Sequence, residues 1–148
     1  MPITKKNHGF TLIEIMVAIF VLAIGLLGLA GLQTTSLKNN HSAQQRTEAI
    51  IQIYNIIDRM RINKNVAKAG GYDLALGAAT PTPAVPPAPT PLEDLDRKAW
   101  RDTLAAALPG GTGSISTTTG ITTITVQWDD SRGSQGSNVQ QFVISTEL

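Results

Sequence analysis

From Ile15 to Leu32 the chain carries no charged, amide or hydroxyl side chain. These eighteen residues rise about 27 Å as a helix, slightly short of the ~30 Å hydrocarbon core of a bilayer. A helix that is apolar on every side must find apolar surroundings on every side, in lipid or among other helices. One carboxylate, Glu14, stands at the entrance of this run, where an ionised group is costly and usually functional. Ahead of it lies a short polar segment, Met1 to Gly9, containing Lys5 and Lys6. A secretory signal peptide places its small-residue cleavage site after the apolar stretch. A site of that kind would fall near Ala30, and Gly31-Leu32-Gln33 serves it poorly. Here the small residue, Gly9, comes before the run, so cleavage at that point would remove a leader and leave the anchor attached.

The length of 148 residues suits one domain plus an anchor. The absence of cysteine excludes disulfides, zinc–thiolate sites and cysteine nucleophiles, and says nothing about compartment. The formal charge of +1 rests on the leader: without Lys5 and Lys6, 10 of the 12 basic side chains remain against 11 acidic ones. Whole-chain charge therefore gives no case for nucleic-acid binding. The two lysines fit better as positive-inside residues that hold the N-terminus in the cytoplasm, with the remainder outside the inner membrane.

No proline occurs between Pro2 and Pro81, and helix formers dominate from Thr11 to about Lys64. Beyond Gln33 the pattern turns amphipathic. Ala43, Thr47, Ile50, Tyr54, Ile57 and Met60 recur at three- and four-residue steps, Ile53 widens the stripe, and Arg46, Glu48, Gln52, Asp58 and Arg59 fall largely on other faces. One long helix is expected, lipid-embedded in its first half and packed on a soluble domain in its second. Asn39-Asn40 could fray it locally, although nothing requires a break. Gly70-Gly71 ends this region, and six prolines between Ala78 and Pro91 make an extended spacer or surface loop, preferred to a proline-rich partner ligand. Thr90-Pro91-Leu92-Glu93 reads as a capping box with proline at the first helical position. Leu92, Leu95, Ala99, Trp100, Leu104 and Leu108 give a second amphipathic helix, stopped by Pro109-Gly110-Gly111, with Trp100 a packing residue. Three short antiparallel strands follow: Ser114 to Thr118, Ile121 to Trp128, and Asn138 to Thr146 after a Gly/Ser-rich loop. The fold class is α+β, a long helix covering one face of a small sheet.

Few residues could carry chemistry. Arg59, Arg61, Lys64 and Lys68 cluster where the helix macrodipole favours cations, without the aromatic interleaving of a nucleic-acid surface. Asp129, Asp130, Ser131, Ser134 and Asn138 supply oxygens, but their spacing is not that of an EF-hand loop, and a polar hairpin loop is preferred. His8 lies in the leader and His41 on the stalk, away from any nucleophile and acid. No catalytic residue, metal site or cofactor is expected, and the protein is read as a non-enzyme. Gly25, Gly28 and Gly31 come at three-residue spacing inside the apolar helix, where small residues allow close helix approach and glycine loosens the helix.

The sequence Gly9-Phe10-Thr11-Leu12-Ile13-Glu14, between the lysines and the apolar run, resembles a type IV prepilin leader. The resemblance implies cleavage by prepilin peptidase between Gly9 and Phe10, and N-methylation of Phe10. It makes Glu14 the fifth residue of the mature chain and pairs its carboxylate with the N-terminal amine of a neighbouring subunit. Many major pilins carry a proline within the apolar helix; none stands here, and Gly25, Gly28 and Gly31 take its place as the loosening element. Residues 23–33, Asp58-Arg59-Met60-Arg61, Gly71-Tyr72-Asp73 and Val126-Gln127-Trp128-Asp129 resemble PilV-type minor pilins, also called type IV pilus modification proteins, with the proline-rich insert as an elaboration. The implied fold is the pilin fold, divided into leader 1–9, transmembrane and filament-core helix 10–33, amphipathic helix 34–69, loop and linker 70–91, and short helix plus strands 92–148. The implied role is a minor pilin that primes pilus assembly at or near the tip. Its partners would be other minor pilins, the major pilin, the inner-membrane assembly platform and, before assembly, membrane lipid, with no nucleic acid. It would sit as a single-pass inner-membrane protein with a periplasmic domain, then in the surface pilus. The alternative with the same leader, anchor and fold is a minor pseudopilin of a type II secretion system.

Overall fold

The long helix begins where the sequence offers it a cap. In the computed structural model, which describes residues 9–78, 90–133 and 136–148, Thr11 is the last non-helical residue and α1 spans Leu12–Ile62. The Thr11 hydroxyl accepts the Glu14 amide at 3.3 Å, satisfying one of the orphan donors of the first turn. Lys5, Lys6, His8, the prolines Pro81, Pro83, Pro86, Pro87 and Pro89, and Ser134 lie outside the described residues. Asn39 and Asn40 are both helical, without a break.

The chain divides into two compact units at Leu37 and Lys38. In the first, every described residue from Gly9 onward is exposed. Thr34 and Thr35 donate their hydroxyls to the carbonyls of Ala30 and Gly31 at 3.0 and 3.2 Å, so the first hydroxyl side chains after the apolar run are satisfied within the helix itself.

The second unit holds the core. After α1, a five-residue helix α2, Lys64–Lys68, closes in a Schellman arrangement: the Gly71 amide donates to Val66 O at 2.9 Å and the Gly70 amide to Ala67 O at 3.0 Å. Both glycines are required. Gly70 has φ of +81°, and a Cβ on Gly71 would stand 2.3 Å from Val66 Cγ1. Helix α3, Leu92–Ala107, leads through Leu108, extended as expected before Pro109, into β1, Thr112–Thr118. Strands β2, Ile121–Trp128, and β3, Gln140–Glu147, complete an antiparallel sheet of order β1-β2-β3. The β1–β2 turn places Thr119 and Gly120 at φ of 51° and 82°, the type I′ geometry that suits a two-residue hairpin. The outer edge of β1 is met by Leu74, which exchanges backbone hydrogen bonds of 2.8 and 2.9 Å with Ile115.

Ile53, Ile56 and Met60 of α1 pack with Trp100 and Leu104 of α3 and with Ile124 of β2. This is the expected α+β architecture, a long helix packed on a small antiparallel sheet. Strand β2 has the expected limits and turns Ile124, Val126 and Trp128 inward. Strand β1 starts two residues before the expected Ser114, and β3 starts two residues after Asn138.

Three local expectations need correction. The face of α1 that packs inward is marked by Gln45, Ala49, Gln52, Ile53, Ile56, Ile57 and Met60, about a quarter turn from the expected stripe. Ala43, Thr47 and Tyr54 are exposed. Gln52 is buried because its amide donates to Glu48 at 2.7 Å and its carbonyl accepts Trp100 Nε1 at 2.9 Å. Second, Thr90 does not cap α3: Pro91 itself, at φ −54° and ψ 143°, is the N-cap, with no side-chain capping bond. Third, Leu92 and Leu95 are 51% and 44% exposed, while Asp96 and Arg101 of the same helix are buried. Helix α3 meets α1 along a polar seam as well as an apolar one.

Candidate functional site

The N-terminal segment presents its key side chains to the outside. Phe10, two residues ahead of α1, and Glu14 line the same shallow groove with Ile15, Ala18 and Ile19. The carboxylate of Glu14 stands in the first turn of α1, where the positive end of the macrodipole favours an anion. Gly9 and Phe10 are exposed and non-helical, so the Gly9–Phe10 bond lies outside the helix. Gly25, Gly28 and Gly31 begin about 16 Å farther along the axis. A Cβ added to any of the three would meet nothing within 4 Å, so no contact within the chain requires glycine there. Glu14 and the glycines are thus not brought together; they mark separate levels of one exposed helix.

Thr11 is the site residue that the sequence reading passed over. Its pattern with Glu14 is the Thr-x-x-Glu of a capping box, a signal recognisable without a structure. Its effect is to start α1 at Leu12 and hold the Glu14 backbone in the first turn.

The polar groups of the second unit are used internally. Asp96 accepts Arg59 Nη1 at 3.0 Å on one carboxylate oxygen and the Tyr72 hydroxyl at 2.8 Å on the other, tying together α1, the segment after α2, and α3. Burial, with the hydrogen bond to Asp96 second, pushes the Tyr72 phenol up to about 12. Arg101 donates to the carbonyls of Ala78, Ala75 (2.8 Å) and Gly113 (3.1 Å), and burial lowers its guanidinium below the usual arginine range. Arg97 bonds Asp94 and donates to Asp73 O at 2.7 Å. Of the basic cluster at the end of α1, Arg59 pairs with Asp96 and Arg61 with Asp58 at 3.1 Å.

In the loop after β2, Asp129 accepts the Ser131 amide at 2.8 Å, and this bond holds its carboxyl below the usual carboxylate range. Asp130 instead points inward to Ser42. Among the described residues no group of three or more His, Cys, Asp or Glu side chains is placed to hold a metal ion.

Among the described residues one helix, α1, is long and apolar enough to cross a membrane. The prokaryotic N-terminal methylation motif matches residues 4–30, covering Gly9, Phe10, Glu14, Gly25 and Gly28. No curated protein and no solved structure matches the chain. At the head of an exposed apolar helix, and ahead of a helix-on-sheet domain, this prepilin-type motif supports a type IV pilin-like protein.

Proposed function

We propose that the chain is a minor pilin of a type IV pilus, of the PilV type, that takes part in priming filament assembly at or near the tip. The observation that carries this reading is the methylation motif on a helix whose described residues up to Leu37 have no partner inside the chain. Prepilin peptidase cuts between Gly9 and Phe10 and removes leader 1–9. The methylated Phe10 amine and Glu14 then supply opposite charges four residues apart at the head of the chain. An incoming subunit sets its axial register when its Glu14 meets the amine of a neighbour. An unpaired carboxylate costs about 2.5–3.5 kcal/mol at the centre of a membrane helix on insertion scales and less at its edge, where Glu14 stands, and pairing relieves that cost. Gly25, Gly28 and Gly31 let adjacent helices approach closely in the filament core.

Residues 10–33 form the membrane and filament-core helix, and the remainder lies in the periplasm before export into the pilus. The partners are other minor pilins, the major pilin and the assembly platform. The small, cysteine-free, three-stranded domain supports a minor subunit over an abundant one. The test is deletion of the gene. Loss of surface pili and twitching with secretion intact is expected; loss of type II secretion with pili intact would overturn the assignment in favour of a minor pseudopilin.

A further inference from the structure

Asp130 is 1% exposed and only half satisfied. Its Oδ2 accepts the Ser42 hydroxyl at 2.5 Å, while its buried Oδ1 has no hydrogen-bond partner. None of the ion pairs among the described residues involves it. The backbone of Asp130 is held as well: its amide donates to Ser137 O and its carbonyl accepts the Gly133 amide, both at 2.9 Å. A Cβ on Gly133 would stand 3.1 Å from Oδ1, and one on Gly136 only 1.6 Å from Asp130 O. A side chain at position 136 would force the backbone apart, and one at 133 would press on the carboxylate.

A second buried oxygen comes from another element. Gln45 follows Ser42 by three residues on the same face of α1, is 6% exposed, and its Oε1 also lacks a partner. Gln45 lines a groove with Pro109, whose carbonyl accepts the Asp129 amide at 2.8 Å, so the residue preceding Asp130 is tied to the wall of that groove. Asp129 itself is turned away to Ser131.

We propose that this junction is a binding site for a hard divalent cation of the calcium class, with Asp130 Oδ1 and Gln45 Oε1 as protein ligands and Ser42 holding the carboxylate in place. Both orphans are acceptors, and one belongs to a carboxylate without a cationic side chain. A buried carboxylate oxygen needs a hydrogen bond, a proton or a cation, and Oδ1 has no hydrogen bond. Carboxylate and amide oxygens select calcium or magnesium over thiolate- and imidazole-seeking metals. Calcium tolerates the irregular geometry of one helix and one loop, whereas magnesium demands near-ideal octahedra. A single carboxylate sets a weak site, with a Kd of about 10⁻⁴–10⁻³ M, the range of extracellular modules. Supply of the ion in the cell rests on the periplasmic placement proposed above; binding by the purified protein does not.

The test uses full-length processed protein in detergent micelles, stripped with EGTA and titrated with CaCl2 or MgCl2. Calcium at 5 mM should raise Tm by about 5 °C or more, with one ion bound per chain and a smaller response to magnesium. Asp130→Asn, which keeps the acceptor for Ser42 and removes the charge, should abolish the response. Gln45→Met, which keeps the packing volume, should weaken calcium binding about tenfold. No calcium response in the wild type, or an equal response in Asp130→Asn, overturns the proposal. So does an Asp130→Asn protein more stable than the calcium-saturated wild type, since a proton or a buried water would then meet the orphan. Should Asp130→Asn fail to fold, the wild-type stoichiometry and the Gln45→Met isotherm decide.

Discussion

Tyr72→Phe removes one hydroxyl from the centre of the Tyr72–Asp96–Arg59 node and leaves the ring in place. Tyr72 is fully buried and its hydroxyl donates to Asp96 Oδ2 at 2.8 Å. Losing a hydrogen bond to a charged, mostly buried acceptor should cost about 1.5–3 kcal/mol at neutral pH. Burial first, and this bond second, make stability depend on alkali. They push the folded phenol up from an ordinary 10.0 to about 12, so the fold favours the neutral form. That preference is worth about 2.7 kcal/mol. It is fully present below pH 10 and is lost as pH rises through 12. The difference in unfolding free energy between wild type and Tyr72→Phe should therefore be constant to about pH 9. It should narrow by about 1.4 kcal/mol, half of the total, by pH 11. Urea unfolding of a fragment from Lys38 to Leu148, the unit containing every core residue, measures this directly. Lysine titration affects both proteins equally and cancels in the difference. A cost below about 0.5 kcal/mol at pH 7, the level of a neutral surface change, or a difference that stays flat to pH 11, would refute the role given to the bond.

Glu14→Ala should leave leader cleavage at Gly9–Phe10 intact and sharply reduce recruitment into pili, read by immunoblot of processed protein against sheared filaments; failed processing with normal assembly would reverse the assignment. Gly113→Ala should destabilise the Lys38–Leu148 unit by about 1–3 kcal/mol or more, because its Cβ would lie 2.4 Å from Trp100 Cη2; a neutral result in urea unfolding would contradict the packing. Leu104→Ala should cost about 2–5 kcal/mol and Leu95→Ala less than about 0.5 kcal/mol, since the first is fully buried and the second 44% exposed; equal costs would favour the stripe read from sequence spacing.

What the sequence made legible was local. The prepilin-type motif is a contiguous string next to an apolar run, and both peptidase and membrane read it as such. Strand β2 was legible because Ile124, Val126 and Trp128 alternate with Thr and Gln, a period of two that only a half-buried strand satisfies. The inward face of α1 was not. Ile50, Ile51, Ile53, Tyr54, Ile56 and Ile57 surround the helix with apolar side chains, so periodicity alone fixes no direction. The choice is made by α3, whose Trp100 reaches the Gln52 carbonyl 48 positions away. Asp96 and Arg101 were missed for the same reason. Their partners are Arg59 and the carbonyls of Ala75, Ala78 and Gly113, which no spacing rule connects to them. Thr90 was chosen as a cap on side-chain chemistry, but Pro91 already has the extended ψ that an N-cap residue needs.

The two parts of α1 pose opposite physical problems. Beyond Lys38 the helix is closed into its own domain: apolar side chains fill the core, and Arg59 and the Gln52 carbonyl are engaged by α3. Before Leu37 none of that compensation exists within the chain. Phe10, Ile13, Phe20 and Leu27 are each more than 60% exposed, and Glu14 forms no ion pair among the described residues. Stabilisation of that segment must come from apolar surroundings outside the chain, so its binding information is the part that folding has not consumed. Perturbations should separate accordingly. Tyr72→Phe lowers the stability of the domain and leaves docking chemistry untouched, whereas Glu14→Ala abolishes docking in a domain that unfolds like the wild type. A Glu14→Ala protein with a destabilised domain would mean that the two parts are energetically coupled, and that the helix transmits docking into the fold.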